Sequence, residues 1–424
     1  MTLVIATTLF STVALFGLSV HLKRNFVLQP TLGQVTLLRD VIFLTLLPYI
    51  YYLSADNWLK HYIFVKLPNS SYFITSSIFV LIFVINFVLI YILTRTFFKR
   101  LFTNRKLATS SSKLRANCNI LIFVQIIYYL IFSILTHSGV WNVFLKDTFE
   151  LQFLRFQLTQ GGGAYIINKI IMKTWLPPLI LFRYYLELRQ QKFSKNYIFV
   201  LLLLGFVVSF AFFEKSGLFI FLMGIVAAYI AAGNKLSLLV LFIFSLFGFS
   251  LIATAYYLID QDRIIDSDYL LTLLVHRVTS QSTGSVMSLH YFENHHYFGM
   301  AGISNIWAKL AGTNFQSVYG AIIDYYIPET AEISGAMSSF VTGDAYGLFG
   351  IYGVVISGCI VGLYYGFIDA SLYNRDIFTI VFPIYITFFS YTVVAGAFYS
   401  FLWPIGYITQ IIPFLLLYAG SQTK

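Results

Sequence analysis

An aspartate stands among glycines at the start of a long apolar run near the end of the chain. Residues 342–353 read TGDAYGLFGIYG, and the apolar run continues to about Phe367. An ionisable group at the rim of a membrane helix is a functional candidate by default, and glycines allow close approach of a helix or of a substrate. We therefore predict that Asp344 and Tyr346 belong to a site. Asp344 could accept a hydrogen bond from a substrate hydroxyl, or it could pair with an arginine.

Two arginines are candidates for binding a phosphate. Arg155 precedes the triplet Gly161–Gly163, and Arg277 stands between His276 and a run of hydroxyl side chains. A guanidinium group can bind a phosphate through two parallel hydrogen bonds, so we predict that both arginines converge on one phosphate. The alternatives are a snorkelling Arg155 that fixes the depth of its segment and a structural salt bridge for Arg277. His276 could assist Arg277 or be an inert packed ring.

Two lysines four residues apart form a second cationic candidate. Lys169 and Lys173 would share one face of a helix, and the pair Pro177–Pro178 is expected to kink that helix just beyond them. Together the lysines could hold a pyrophosphate that enters from the side. The alternative is that both side chains reach the outer surface and only anchor the helix.

The segment from His290 to Tyr297 carries the densest group of ionisable side chains outside the apolar runs. A histidine beside a carboxylate can act as a general base, which makes His295 and Glu293 catalytic candidates and His290 a binding candidate. The aromatic rings between them suit stacking on sugar rings, although they could equally be rings that rest at a membrane interface. No second set of ligands follows at a familiar spacing, so we predict no metal site.

The composition places these residues in a membrane protein. Apolar residues make up 58% of the chain and charged residues 10%, against about 45–50% and about 25% in soluble domains. We predict an all-α integral membrane domain that covers residues 1–424 and has about 11 transmembrane helices. The predicted helices are 2–20, 35–53, 73–94, 116–136, 162–182, 197–213, 217–233, 236–258, 339–367, 377–395 and 399–419.

The positive residues predict the orientation of these helices. Loops near residues 95–115 and 183–195 are rich in Lys and Arg and belong on the cytoplasmic side. The N-terminus is then outside and the C-terminus cytoplasmic. One large external loop, residues 259–338, separates helices 8 and 9 and is expected to hold re-entrant or interfacial helices. The net charge of +10 follows from the cytoplasmic loops, so no nucleic-acid partner is expected.

Several familiar enzyme motifs do not occur in the sequence. We find no P-loop, dinucleotide fingerprint, nucleophile elbow or H-E-x-x-H zinc motif, and no cytoplasmic domain that could hold a nucleotide sugar. We therefore predict no cofactor. Any substrate is expected to be already activated and already in the membrane.

The chain resembles the bacterial oligosaccharide repeat-unit polymerases, the Wzy or O-antigen polymerase family. The residues that carry the resemblance are GDAYGLFGIYG from Gly343 to Gly353, the loop around Arg277, and Arg155 before its glycine-rich turn. The arginine and glycine separated by ten residues that are described for this family do not occur at either arginine.

The resemblance implies a metal-independent glycosyltransferase at the outer face of the bacterial inner membrane. Such an enzyme moves a growing glycan from undecaprenyl pyrophosphate onto a new lipid-linked repeat unit, to build O-antigen, capsule or exopolysaccharide. Its partners are lipid-linked oligosaccharide, membrane lipid, a flippase and a chain-length regulator. The alternatives are an O-antigen ligase, a flippase or exporter of lipid-linked oligosaccharide, and a membrane acyltransferase.

The resemblance also assigns roles to the candidate residues. Cationic side chains would stabilise the charge that develops on the pyrophosphate leaving group, and these are Arg155, Arg277 and Lys173. A base would take the proton of the acceptor hydroxyl, and His295, Glu293 and Asp344 are the candidates. The expected substrate-binding residues are Lys169, Lys173, His276, His290 and Tyr346.

Overall fold

The computed structural model describes ten stretches of the chain and one further residue. They are residues 27–28, 30–53, 67–103, 111–135, 170–190, 195–209, 215–237, 283–326, 328, 339–390 and 398–422. Within them the chain is helical apart from turns and one pair of two-residue strands, which confirms the all-α prediction. The helices are α1 (Leu32–Leu53), α2 (Ser71–Thr103), α3 (Ser111–Leu135), α4 (Ile170–Trp175, continuing as Leu176–Gln190), α5 (Lys195–Ser209), α6 (Lys215–Ala231), α7 (Thr283–Glu293), α8 (Asn305–Leu310), α9 (Val318–Tyr326), α10 (Val341–Ser371), α11 (Arg375–Ser390), α12 (Tyr399–Leu402) and α13 (Ile405–Gly420).

Four of these helices are long and apolar enough to cross a membrane. They are α1, α2, α10 and the part of α3 from Ser112 to Phe132. Shorter apolar helices occur at α5, α6 and α13. The membrane character of the chain agrees with the prediction from composition, whereas the number of eleven crossings stays a prediction.

Two of the predicted helices, 2–20 and 236–258, are not among the helices that the structure describes. The segment 2–20 lies outside the described residues, as does nearly all of 236–258. The first two residues of the latter segment differ from the prediction. Leu236–Ser237 forms a strand (β2) that pairs in antiparallel fashion with Val27–Leu28 (β1). Gly233, with φ of 90°, ends α6 in the left-handed conformation that favours glycine and turns the chain toward this pair.

Among the described helices, α10 and α2 make the most extensive contact. Gly358, Gly362 and Gly366 recur every four residues, so they form one stripe along α10. A Cβ atom added to each would lie 2.6, 2.7 and 2.8 Å from a backbone carbonyl oxygen of α2, namely those of Phe83, Phe87 and Tyr91 in the same order. The two helices therefore run parallel, and their backbones approach too closely for any side chain between them.

An ion pair closes one end of this helix pair. The Arg95 guanidinium donates to the carboxylate of Asp369, and the Tyr91 hydroxyl donates to the same carboxylate at 2.9 Å. The backbone N–H of Leu32 reaches it from the start of α1 at 3.5 Å. Asp369 thus joins three helices through charge-assisted hydrogen bonds.

A second buried ion pair lies within α1. The Arg39 Nε atom is 2.7 Å from Asp40 Oδ1, and the guanidinium also donates to the backbone oxygens of Phe388 and Phe389. Those carbonyls belong to the last turn of α11, where the helix itself supplies no donors. A cation at a helix C-terminus also complements the helix dipole, so Arg39 stabilises the end of α11.

Helix α10 is not one straight rod, although residues 339–367 predict a single helix. Phe349 has φ of −136°, and Gly350 has φ of 62° with ψ of −147°, a region that is essentially restricted to glycine. A Cβ atom on Gly353 would lie only 2.0 Å from the Ala345 oxygen, although eight residues of straight helix would rise about 12 Å. The chain therefore turns sharply at Gly350, and residues 341–348 fold as a separate short helical segment.

We expect Gly362→Ala to destabilise the protein, because its new Cβ would press on the Phe87 carbonyl of α2. Overpacking of this kind costs about 1–3 kcal/mol. The matched control is Gly406→Ala in α13, where no atom lies within 4 Å of the new Cβ and the better helix propensity of Ala favours the variant. Thermal unfolding in detergent should show a lower Tm for Gly362→Ala only, and equal Tm values would contradict the close helix contact.

Candidate functional site

Helix α7 packs against the first segment of α10 through the glycines of the TGDAYGLFGIYG motif. A Cβ on Gly343 would lie 2.7 Å from Ser285 Cα, and one on Gly347 would lie 2.6 Å from the ring of Phe292. The sequence left open whether these glycines allow the approach of a helix or of a substrate. The described contacts favour a neighbouring helix.

This packing brings four polar side chains together where α2 begins and α7 ends. The Tyr72 hydroxyl donates to the carboxylate of Glu293. His290, one turn earlier on α7, is hydrogen-bonded through Nδ1 to the hydroxyl of Tyr326 at the end of α9. The rings of Tyr72 and His290 meet edge to face, with their centroids 5.2 Å apart.

Two more tyrosines join them, Tyr346 from the start of α10 and Tyr297 from the segment that follows α7. The hydroxyl of Tyr297 donates to that of Tyr346 at 3.3 Å, and their rings meet edge to face at 5.5 Å. Tyr297 also lies 6.1 Å, ring to ring, from Phe292 of α7. We name the whole group the tyrosine cluster, and it consists of Tyr72, His290, Glu293, Tyr297, Tyr326 and Tyr346.

Burial decides the protonation states within the tyrosine cluster. It lowers the pKa of His290, although Glu293 acts in the opposite direction, so the imidazole is neutral near pH 7. Burial also raises the pKa of Tyr326, which therefore keeps its proton. We infer that the phenol of Tyr326 donates and Nδ1 of His290 accepts.

His295 lies one turn beyond the cluster and is exposed. Its Nδ1 is 2.7 Å from the backbone oxygen of Tyr291, and since a carbonyl only accepts, Nδ1 carries the proton. In the tautomer that this contact favours, Nε2 is the ring nitrogen that can accept, the property that a general base needs.

Asp344 lies in the interior. The residue is only 1% exposed. Its Oδ2 atom accepts a hydrogen bond from the backbone N–H of Tyr399 at 3.1 Å. The other oxygen, Oδ1, has no hydrogen-bond partner among the described residues. Buried polar atoms are normally paired, so Oδ1 leaves one acceptor available inside the protein.

The Tyr319 hydroxyl is a second such atom in the same region. It is buried without a hydrogen-bond partner in the described ranges. Burial raises the pKa of Tyr319 well above its usual value, and the Asp344 carboxylate contributes in the same direction, which shows that the two groups are close.

A cavity of about 220 Å³ lies between α4, α5, α6, α11 and α13. Pro177 and Pro178 form part of its wall, and Thr387 donates to Gln410 Oε1 at 3.1 Å on another part of it. Lys173 immediately precedes this wall, in the π-helical first part of α4, but its side chain is outside the described part of the structure.

The structure brings some of the predicted residues together and leaves others undescribed. His290, Glu293 and Tyr346 lie in the tyrosine cluster, His295 lies beside it, and Asp344 lies inside the protein near the same end of α10. The remaining candidates fall outside the described residues, and with them the predicted convergence of the two arginines; they are Arg155, Lys169, His276 and Arg277. Within the described ranges, no three His, Cys, Asp or Glu side chains gather as they would around a metal ion.

Sequence reasoning missed Tyr72 and Tyr326 as members of the site, whereas Tyr297 belongs to the segment that the sequence singled out. A tyrosine at the first turn of a predicted membrane helix, as at Tyr72, is a signal that could have pointed to one of them. It also missed Arg39 and Asp40, although two adjacent opposite charges inside a predicted membrane helix indicate a buried pair.

Comparison of the chain with protein-family models, with curated proteins and with solved structures gives no match. The interpretation of the site therefore depends on its residues and on their geometry.

We expect Asp344→Asn to be at least as stable as the wild type, because an amide oxygen can still accept from the Tyr399 N–H and the buried charge is removed. Asp344→Leu leaves that N–H without its acceptor, which costs about 1–3 kcal/mol. The control is Asp324→Asn, an exposed position. Thermal unfolding distinguishes these outcomes, and an Asn variant as unstable as the Leu variant would show that the negative charge itself is required.

Proposed function

We propose that this chain is a membrane glycosyltransferase that polymerises lipid-linked oligosaccharide repeat units into a surface polysaccharide. It moves a growing glycan from undecaprenyl pyrophosphate onto the sugar end of a new lipid-linked unit, at the outer face of the bacterial inner membrane. It crosses that membrane about 11 times, with its N-terminus outside and its C-terminus in the cytoplasm.

The observation that carries this proposal is the tyrosine cluster. It joins a carboxylate, an imidazole and four phenol rings where α2 and α10, two helices that are long and apolar enough to cross a membrane, begin. Sugars present apolar faces and hydroxyl edges, so rings and hydrogen-bond acceptors together suit them. The position beside apolar helices suits a substrate whose lipid tail stays in the bilayer.

The proposed reaction assigns a separate task to each group. The acceptor hydroxyl attacks the anomeric carbon of the donor sugar, and its proton passes to Glu293 or to Nε2 of His295. The bond between the anomeric carbon and the pyrophosphate oxygen breaks, and undecaprenyl pyrophosphate leaves with the bonding electrons. Arg155, Arg277 and Lys173 are the proposed partners of that leaving group.

Tyr72 and Tyr346 have supporting roles in this scheme. The hydrogen bond from Tyr72 fixes the carboxylate of Glu293 in one orientation, and a positioned base is more effective than a mobile one. Tyr346 and its partner Tyr297 offer rings and hydroxyls on the α10 side of the cluster.

The test is a glycan ladder from cells that lack this gene, complemented at matched expression. Under the proposal, deletion leaves single capped repeat units and the wild type restores the ladder. Glu293→Gln should reduce polymer formation by about 100-fold or more, the usual contribution of a general base. Arg277→Ala should reduce it as well, because the leaving group loses a cation.

His296→Gln is the matched control, since His296 is exposed on the same turn as Glu293 and has no role in the scheme; it should restore the full ladder. Full-length polymer that accumulates on the carrier lipid would instead identify a ligase. Repeat units retained on the cytoplasmic side would identify a flippase. A wild-type ladder from the Glu293→Gln variant would remove Glu293 from the catalytic residues.

A further inference from the structure

A second group of aromatic side chains lies beside the tyrosine cluster, between α7 and α9. The rings of Tyr291 and His295 stack in parallel, with centroids 4.0 Å apart and an interplanar angle of 1°. Tyr325 stands edge-on to both, at 5.5 Å from Tyr291 and 5.6 Å from His295. We name these three residues the aromatic platform.

The aromatic platform is open to solvent and carries hydrogen-bonding atoms. Tyr325 is 48% exposed, and His295 is exposed with Nε2 as an acceptor. The exposed carboxylate of Asp324 is close enough to add to burial in raising the pKa of Tyr291, and Gln316 donates to that carboxylate at 3.5 Å.

A continuous path of rings joins the aromatic platform to the tyrosine cluster. Tyr325 meets Tyr326 at 4.8 Å, and Tyr326 meets His290 at 5.7 Å. His290 in turn meets Tyr72, which holds Glu293. The path runs through Tyr326, which is only 7% exposed, so the two aromatic groups are joined through the protein interior.

A single exposed tyrosine needs no functional explanation. Two tyrosine rings that contact an exposed imidazole, with a carboxylate beside them, are a different case. This surface offers apolar faces for the C–H groups of a sugar ring and acceptors for its hydroxyls. The charges that the described residues supply beside it, Asp324 and Glu293, are negative, so they disfavour acidic sugars.

We propose that the aromatic platform is a second glycan subsite, which holds neutral sugar units of the growing chain next to the site of linkage. This inference rests on the proposed function and adds to it. By retaining the chain between additions, the exposed ring of Tyr325 would favour long polymers, whereas the first linkage would form without that ring.

The direct test measures binding of neutral oligosaccharides to the full-length protein in lipid nanodiscs. The probe is the neutral fraction from partial acid hydrolysis of the surface polysaccharides of cells that carry the gene. Saturation-transfer NMR should detect binding to the wild type. Tyr325→Ala should weaken it by about three- to ten-fold, the worth of one aromatic contact, and Tyr325→Phe should bind like the wild type because the ring is kept.

The control is Tyr352→Ala, which removes a tyrosine that is 76% exposed on α10 outside both aromatic groups. Thermal unfolding of every variant verifies that the fold is intact. The subsite is overturned if the wild type does not bind the probe, or if folded Tyr325→Ala binds as well as the wild type.

Ladders from cells separate this inference from the proposed function. Tyr325→Ala should shorten the polymers while joined repeat units still form. If the ladder depends on the gene but oligosaccharide binding does not depend on Tyr325, the proposed subsite is wrong and the proposed polymerase function is kept. If deletion of the gene leaves the ladder unchanged but oligosaccharide binding still needs Tyr325, the proposed polymerase function is wrong and the binding site is kept.

Discussion

The structure depends on the direct contact between the backbones of α2 and α10. Three glycines, at 358, 362 and 366, let the carbonyl oxygens of α2 touch α10, and the ion pair of Arg95 with Asp369 fixes one end of the contact. Without a hydrophobic driving force inside a bilayer, close packing of this kind and interhelical hydrogen bonds hold helices together. The first segment of α10 and helix α7 lie at the other end of this helix pair, so their positions depend on it.

Two ionisable groups inside the apolar segments, Arg39 and Asp344, bind the ends of neighbouring helices. Arg39 binds the terminal carbonyls of α11, and Asp344 accepts from the first N–H of α12, so each charge has the sign that its helix end favours. This arrangement explains how ionisable residues persist in a strongly apolar environment, where an isolated charge is costly.

The long apolar runs predicted most of the described helices, because a membrane helix requires little more than length and low polarity. Sequence also singled out His290, Glu293 and Tyr346 as candidates, although it did not predict that they lie close together. It could not predict that Tyr72 would meet Glu293, because their 221 positions of separation are bridged only by tertiary packing. Nor could it predict the turn at Gly350, because a glycine in an apolar run is equally compatible with a straight helix packed against a neighbour.

The turn at Gly350 sets the length of the straight part of α10, and with it the depth of neighbouring residues in a bilayer. Residues 351–371 alone form the straight part of α10, and at 1.5 Å per residue they measure about 31 Å, the thickness of a bilayer hydrocarbon core. The glycine contacts align Ile351 with Ile78 of α2, since Gly358 meets Phe83 and Phe87. Tyr72 is then about 9 Å beyond the edge of the hydrocarbon. That distance corresponds to the headgroup zone of a bilayer whose hydrocarbon core the straight part of α10 spans.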